Sequence, residues 1–133
     1  MIKKFLLTAF LFWIGNAFGQ SSISLTAVLN DSLKTIEIEQ EIIYQNSDSD
    51  TLNFIYLNDW INSFKDKSTP LAKRFSEDYI RRFHFAKEEE WGNTTIEFLA
   101  DENQDSLNWS RPEDAPDLIK IQLDSPLFPG ESF

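Results

Sequence analysis

The chain has 133 residues, of which 41% are hydrophobic and 14% aromatic, and its formal net charge is -10. This length and apolar content suit one folded domain and exclude an intrinsically disordered tail. The acidic excess excludes nucleic acids and anionic membrane surfaces as main partners, because both require a basic binding surface.

The N-terminus has the pattern of a signal peptide. Lys3 and Lys4 precede an apolar run at 5–14, and the small residues Ala17 and Gly19 stand where a signal peptidase reads the chain. The run is short for a transmembrane helix, and an uncleaved N-terminal anchor is the alternative. We therefore expect a signal peptide at 1–19 and an exported domain at 20–133, periplasmic or associated with the cell surface, without membrane insertion after cleavage. The exported domain has no cysteine, so its stability must come from core packing and not from disulfides.

The most regular pattern lies at 33–46 and predicts a β-strand. Successive side chains of a strand point to opposite faces, and β-branched residues favour this conformation. The alternation therefore predicts a half-buried antiparallel strand, with a first strand before it at 23–29 and a third strand after it at 51–57, in an antiparallel meander. Neither face of the third strand is polar, which predicts burial on both sides. The two faces of the central strand are Ile36, Ile38, Ile42 and Tyr44 against Glu37, Glu39, Glu41 and Gln45.

One amphipathic helix is predicted at about 70–87. Ser68 or Thr69 offers an N-cap, and Pro70 stands in the first turn, where proline is tolerated. Apolar residues then recur at helical spacing through Phe83. The chain is therefore predicted to be mainly β, an antiparallel β-sandwich-like domain with one inserted helix.

Further strands are predicted in the last third of the chain. Thr94 to Ala100 has the composition of a short strand, Leu107 and Trp109 begin another, and 117–123 alternates again. Pro129-Gly130 predicts a turn, after which we expect a return strand. We therefore expect the domain to be incomplete at its C-terminus, as the front part of a longer protein.

Three segments follow one another in an order that a known family shares. They are Tyr44-Gln45-Asn46, 52–57 and Pro126-Leu127-Phe128-Pro129-Gly130-Glu131. This order resembles the N-terminal β-domain of the aminopeptidase N-like zinc metallopeptidases, the gluzincins, over about 23–133. The insertions at 69–75 and 83–90 resemble a form found in exported proteins of Bacteroidetes-type bacteria.

The resemblance implies a domain without catalytic residues of its own. The family's zinc site is a helical H-E-x-x-H with a downstream glutamate, and its substrate-amine motif is Gly-x-Met-x-Asn. This chain has a single histidine, His84, so it is predicted to contain no catalytic, cofactor-binding or metal-binding residue. The resemblance places zinc in a catalytic domain beyond this chain. That domain is the expected partner, and peptide substrates are reached through the parent protein.

Four local features resemble functional sites but have simpler interpretations. His84 lacks a second ligand or a nucleophile at known spacing and is predicted to be structural or solvated. The segment 101–105 begins like a calcium loop, but Ser106 replaces the required glycine, so a surface turn is favoured. The row Glu37, Glu39 and Glu41 is predicted to be a solvated strand face, because unpaired buried carboxylates are costly. The run 88–90 is predicted to be solvated as well.

Aromatic residues in or beside loops leave a second function open. Trp60, Phe64, Trp91 and Trp109 lie there, and aromatics at such positions stack on sugars or dock a partner. Burial under the inserted helix is the simpler interpretation. The alternative function is accordingly a self-contained exported β-sandwich binding module for a glycan or protein partner.

Overall fold

A computed structural model describes residues 20–133. The predicted leader at 1–19 lies outside the described residues. Strands account for 37% of the structure and helices for 18%, so the predicted mainly β fold class with antiparallel sheets is confirmed. Over the described residues the elements are β1 (Ser22–Asn30), β2 (Thr35–Ile43), β3 (Leu52–Asn58), α1 (Pro70–Glu77), α2 (Arg82–Phe85), β4 (Asn108–Ser110) and β5 (Leu118–Leu127), with 3₁₀ turns at Trp60–Phe64 and Glu88–Glu90.

The described chain forms two compact units, 20–51 with 127–133 and 52–126. In the first unit, β1 and β2 form an antiparallel hairpin with Ile23 opposite Ile42 and Leu29 opposite Ile36. In the second unit the strand order is β3-β5-β4. The predicted meander is therefore wrong, because β3 pairs with β5 and not with β2. Alternation defines a strand and its faces but does not specify the neighbouring strand.

The prediction that β2 is half-buried is also wrong. Ile36 is 60% exposed and Ile38 is 57% exposed. The predicted strand boundaries agree with the structure within two or three residues at each end. The sequence pattern located the strand correctly but did not predict the exposure of its apolar side chains.

The inserted helix begins as predicted but is shorter. Thr69 Oγ1 accepts a hydrogen bond from Ala72 N at 3.2 Å, so Thr69 is the N-cap of α1. The helix ends at Glu77, and only the single turn of α2 follows within the predicted span 70–87. A continuous helix would separate residues 75 and 83 by about 12 Å along its axis, whereas the rings of Phe75 and Phe83 lie 6.1 Å apart. The break therefore allows these two rings to contact each other.

The backbone at the break forms a Schellman motif. Ile80 N donates to Phe75 O at 2.7 Å and Tyr79 N donates to Ser76 O at 3.2 Å. Tyr79 has a φ of 59°, in the left-handed region where glycine is usual. The helix end gave no sequence signal, because tyrosine stands in place of glycine.

The strands of the second unit match the predictions in part. β5 buries Ile119, Ile121 and Leu123 as the alternation predicts, and it extends beyond the predicted end to Leu127. β4 forms at the predicted position, whereas the expected strand at 94–100 has only an isolated bridge between Ala100 and Ser106. The rest of this segment forms no strand.

Burial in β3 is one-sided. Ile55 is buried, whereas Phe54 and Tyr56 on the opposite face are exposed, so the prediction of burial on both sides is wrong. The buried apolar residues of the second unit are Ile55, Ala72, Ile119, Ile121 and Leu123.

Among residues 20–133, no helix combines the length and the apolar character needed to cross a membrane.

Candidate functional site

The β1–β2 hairpin presents two faces of different chemistry. The antiparallel register places most apolar residues of both strands on one face, where Gln40 is the polar exception, whereas Val28 and Ile43 lie on the other face. Most of these side chains are strongly exposed, including Ile23, Leu25, Leu29, Ile36 and Ile38. We call this surface the apolar face; it is formed by Ile23, Leu25, Ala27, Leu29, Ile36, Ile38, Gln40 and Ile42.

The opposite face of the hairpin is acidic. Glu37, Glu39 and Glu41 lie on it, opposite Val28, Thr26 and Ser24 of β1 respectively. All three glutamates are exposed, as the sequence predicted for a solvated strand face. None of the ion pairs formed between residues 20–133 includes them, so the acidic face has unneutralised charge.

The chain beyond β2 meets the C-terminal segment at a strand junction. Tyr44 N donates to Phe133 O at 2.7 Å, and Phe133 N donates to Tyr44 O at 2.8 Å. Asn46 N donates to Glu131 O at 2.9 Å and Gly130 N donates to Asn46 O at 2.8 Å. The segments 44–46 and 130–133 therefore form a short antiparallel ladder.

The Pro129-Gly130 turn creates this return. Glu131 N donates to Phe128 O at 3.1 Å, and Gly130 has a φ of 84°. Proline followed by a residue of positive φ is the pattern of a type II turn. A second hydrogen bond stabilises the turn, because Phe128 N donates to the Glu131 carboxylate at Oε2, at 2.9 Å.

Asn46 holds the junction together through its side chain. The residue is 0% exposed, and its Nδ2 donates to Asp50 O at 2.8 Å and to Leu127 O at 3.0 Å. Its Oδ1 accepts a hydrogen bond from Asp48 N at 3.1 Å. An asparagine is required here because the site needs two donors and one acceptor on the same side chain.

In the second unit, helices and loops enclose an aromatic cluster. The ring of Phe64 lies 5.8 Å from that of Phe83, and the ring of Phe83 lies 6.3 Å from that of Trp91. The predicted loop aromatics Phe64 and Trp91 are thus packed beside α1 and α2, whereas Trp60 is exposed. Beside the cluster lies an open cleft of about 530 Å³ lined by Phe64, Phe75, Ile80, Arg82, Phe83, Phe85, Ala86 and Glu90.

His84 makes a structural contact. Its Nε2 lies 2.9 Å from the carbonyl oxygen of Ala72, and a carbonyl can only accept, so Nε2 carries the proton. This hydrogen bond ties α2 to α1. Apart from Arg82 and Glu90, the residues that line the cleft are apolar.

A partly buried ion pair lies near β3 and was not predicted from the sequence. Arg111 Nη2 is 2.6 Å from Asp59 Oδ2, and the two side chains are 20% and 9% exposed. Thr94 Oγ1 donates to Asp59 Oδ1 at 2.7 Å, and Arg111 Nη1 donates to Pro116 O at 3.1 Å. The pair fixes three loops, and the groups are far apart in the sequence, so no local pattern could reveal it.

The segment 101–105 is a hydrogen-bonded turn. Asp101 Oδ1 accepts from Asn103 N and Asp105 N, both at 2.9 Å. The donation by Asp105 N lowers the pKa of Asp101, and the same bonds occupy oxygens that a calcium loop would direct at the ion. Among residues 20–133, no three His, Asp or Glu side chains are grouped to hold a metal ion. The run Glu88–Glu90 is an exposed 3₁₀ turn.

No family model matches the chain, and no curated protein or solved structure matches it either. The family resemblance therefore depends on the order of the segments 44–46, 52–57 and 126–131 alone. Two of these three segments meet at the strand junction.

Proposed function

We propose that this chain is the non-catalytic N-terminal scaffold domain of an exported zinc metallopeptidase of the aminopeptidase type. The observation that best supports the proposal is the strand junction. Tyr44-Gln45-Asn46 and the Pro126 to Glu131 turn both belong to the resembling pattern, and they are held together by the side chain of Asn46. A shared structural role would explain why both segments occur in this order.

The exposed apolar face gives further support. A two-stranded hairpin is marginally stable in water at best, and this hairpin leaves large aliphatic side chains open to solvent. A covering domain would remove that apolar surface from water. The expected partner is the catalytic domain of the same parent protein, whose cleft this domain would flank and restrict.

The chemistry of the parent protein resides outside this chain. In such an enzyme a metal-bound water, with a glutamate as base, attacks the peptide carbonyl. Zinc is accordingly the expected cofactor of the parent, and peptides are its substrates. The present domain would supply neither ligand nor base, and it would position and shield the cleft.

We also propose that the domain is exported. The segment 1–19 has the charged start, apolar run and small residues of a signal peptide. The mature domain would have a net charge of -12, because cleavage removes Lys3 and Lys4. Its location would be periplasmic or at the cell surface.

The decisive experiment reads the codons that follow Phe133. We expect an open reading frame that encodes H-E-x-x-H and a downstream glutamate within a few hundred codons, and its absence ends the peptidase proposal. Zinc analysis and peptide hydrolysis by the encoded protein then separate an active enzyme from a degenerate member. Gel filtration of the present chain should show self-association through exposed apolar surface, without bound zinc.

A self-contained binding module is the second candidate, and exposed aromatic residues on β3 favour it. The rings of Phe54 and Tyr56 lie 5.4 Å apart in an edge-to-face arrangement, and Lys120 Nζ lies 4.4 Å from the centre of the Phe54 ring. Adjacent exposed rings beside a cation can stack on a sugar or dock a protein. This function predicts a monomer that binds a glycan or protein by itself, and loss of binding in Phe54→Ala.

A further inference from the structure

The outer edge of β2 carries unpaired backbone groups. Tyr44 exchanges both backbone hydrogen bonds with Phe133, on the side away from β1, whereas Gln45 N donates to Ser21 Oγ at 3.0 Å on the side of β1. Successive residues of a strand direct their backbone groups to opposite edges. The outward groups of β2 are therefore those of Ile36, Ile38, Gln40 and Ile42.

These outward groups have no backbone partner within residues 20–133. Within residues 20–133, the hairpin sheet contains only β1 and β2, and no further backbone hydrogen bond involves residues 35–43. An edge of this length is a template for another strand. Native proteins usually protect such an edge with charged side chains, proline or a bulge, and of these β2 has only the row Glu37, Glu39 and Glu41.

The strand junction sets the direction and register of an added strand. Glu131 and Phe133 already pair antiparallel with Asn46 and Tyr44. An added strand that continues this ladder runs antiparallel to β2 and reaches Ile42 first and Ile36 last. Its side chains then alternate between the apolar face and the acidic face of the hairpin.

The two faces define the chemistry of the added strand. Side chains beside Ile36, Ile38 and Ile42 meet an apolar surface, whereas those beside Glu37, Glu39 and Glu41 meet carboxylates without basic partners. Opposite charges across neighbouring strands stabilise a sheet, and like charges destabilise it. A second copy that pairs edge to edge would align two rows of glutamate on one face, so charge disfavours it.

We propose that the outer edge of β2 binds, by β-strand addition, an extended segment in which apolar residues alternate with lysine or arginine. The segment belongs to the remainder of the parent protein, and this assignment of its source rests on the proposed function. Backbone hydrogen bonds supply the register, and the alternation supplies selectivity. The added strand converts the hairpin into a three-stranded sheet, which is the smallest sheet expected to be stable with a hydrophobic face.

The test uses synthetic peptides and the full chain. A labelled nine-residue peptide that alternates valine and lysine is titrated by fluorescence anisotropy, and amide exchange is followed by NMR. We expect binding together with slowed exchange at the amides of Ile36, Ile38, Gln40 and Ile42. A valine–glutamate peptide should bind at least about tenfold more weakly, since like charges directly opposite one another destabilise a sheet.

Matched controls separate strand addition from simple charge attraction. A valine–lysine peptide that is N-methylated at alternate positions keeps its charge but loses donors, so it should not bind. The triple variant Glu37→Gln, Glu39→Gln, Glu41→Gln should bind the unmodified peptide about tenfold more weakly. Gln40→Pro removes only an outward N–H, which an edge strand tolerates, and it should keep the circular dichroism spectrum of the fold while losing the peptide.

Three results would overturn the inference. They are no binding of the valine–lysine peptide, equal binding of the N-methylated peptide, and unchanged amide exchange along β2 on binding. Dimerisation in sedimentation that Gln40→Pro abolishes would assign the edge to a second copy instead. The proposed function is tested separately by the reading frame, so peptide binding without a downstream zinc motif would retain the edge and reject the peptidase.

Discussion

The side-chain amide of Asn46 donates a hydrogen bond of 3.0 Å to the backbone carbonyl of Leu127, 81 residues later in the chain. The same amide donates to Asp50 O, and Asp48 N donates to the side-chain oxygen. One buried side chain thus joins the end of the hairpin strand to the segment that enters the Pro129-Gly130 turn. The strand junction depends on this amide, because carbonyl groups left without a donor in the interior are costly.

Replacement of Asn46 should destabilise the first unit. Asn46→Ala removes three hydrogen bonds at a buried site and should lower the free energy of unfolding by about 2–3 kcal/mol. Asn46→Asp should cost about 3 kcal/mol or more at neutral pH, because a carboxylate faces two carbonyl oxygens. Part of this loss should be recovered below about pH 4, where the carboxyl is protonated and can donate again.

Urea denaturation followed by circular dichroism measures both changes. Asn93→Asp is the matched control, since Asn93 is exposed and its side chain makes no hydrogen bond within residues 20–133. A loss in Asn46→Asp no larger than in the control would contradict the role assigned to the amide.

The same substitution on two isoleucines should separate the exposed apolar face from the core. Ile38→Thr should change the free energy of unfolding by less than about 0.5 kcal/mol, because the side chain is already 57% exposed and threonine keeps the β-branched shape. It should also reduce binding of a hydrophobic dye and self-association. Ile121→Thr should cost about 2 kcal/mol or more, because Ile121 is 4% exposed.

Thermal unfolding and dye fluorescence of the two variants provide the comparison. Equal destabilisation by Ile38→Thr and Ile121→Thr would mean that the apolar face of β2 is buried in solution.

Local patterns predicted most of the strands but not how they pair. The alternation in β1, β2 and β5 is a property of neighbouring residues, and the observed strands lie where it placed them. The pairing of β3 with β5 depends on contacts between distant residues, which alternation does not encode. The end of α1 was missed for a related reason, because Tyr79 occupies a position where glycine would have signalled a cap.

The candidate site could be predicted only in its separate parts. The acidic row on β2 and the Pro129-Gly130 turn are visible in the sequence, and both lie where their patterns indicate. The hydrogen bonds from Asn46 and the ion pair between Asp59 and Arg111 join distant segments, so their formation needed the folded chain. The exposure of the apolar face was also unpredictable, because an alternating strand indicates an apolar side and not whether a layer covers it.

Tyr79→Gly should stabilise the second unit. The left-handed conformation costs about 1–2 kcal/mol for a residue with a Cβ, and Tyr79 has a φ of 59° with 83% of its surface exposed. Part of the gain is offset by the greater freedom of glycine in the unfolded chain, so the net gain should be about 1 kcal/mol. Tyr79→Ala is the control, because it loses the same ring but keeps the Cβ. Chemical denaturation should show a higher midpoint for the glycine variant alone, and equal midpoints would exclude strain at this position.

Arg111→Ala should destabilise the second unit because it leaves the Asp59 carboxylate without its cationic partner. Asp59 would lose a partner at 2.6 Å while its side chain is only 9% exposed. Removal of one member of this partly buried pair should cost up to about 3 kcal/mol. Asp59→Asn combined with Arg111→Met removes both charges and should recover part of the loss. If the double variant lost as much free energy of unfolding as the two single variants together, the two side chains would not be coupled.

Stability should fall in acid because the Asp66 carboxylate is hydrogen-bonded in the folded chain. Ser68 Oγ and Ser68 N donate to Asp66 Oδ1 at 2.6 and 2.7 Å, and these bonds lower the pKa of Asp66 from its ordinary value of 3.8. A depressed folded pKa contributes stability that is complete above 3.8 and is lost as the pH falls through the lower folded value. The pKa of Asp101 is also lowered, by donation from Asp105 N, so both turns lose stability as the pH falls below 3.8.

Asp66→Asn should be less stable than the unsubstituted chain at neutral pH, and the difference should shrink below pH 3.8. Asp50→Asn is the control, since the Asp50 carboxylate makes no hydrogen bond within residues 20–133. Urea denaturation across this pH range measures the free energy of unfolding of Asp66→Asn and of the unsubstituted chain. If the difference between the two stays constant with pH, the carboxylate charge does not stabilise the turn.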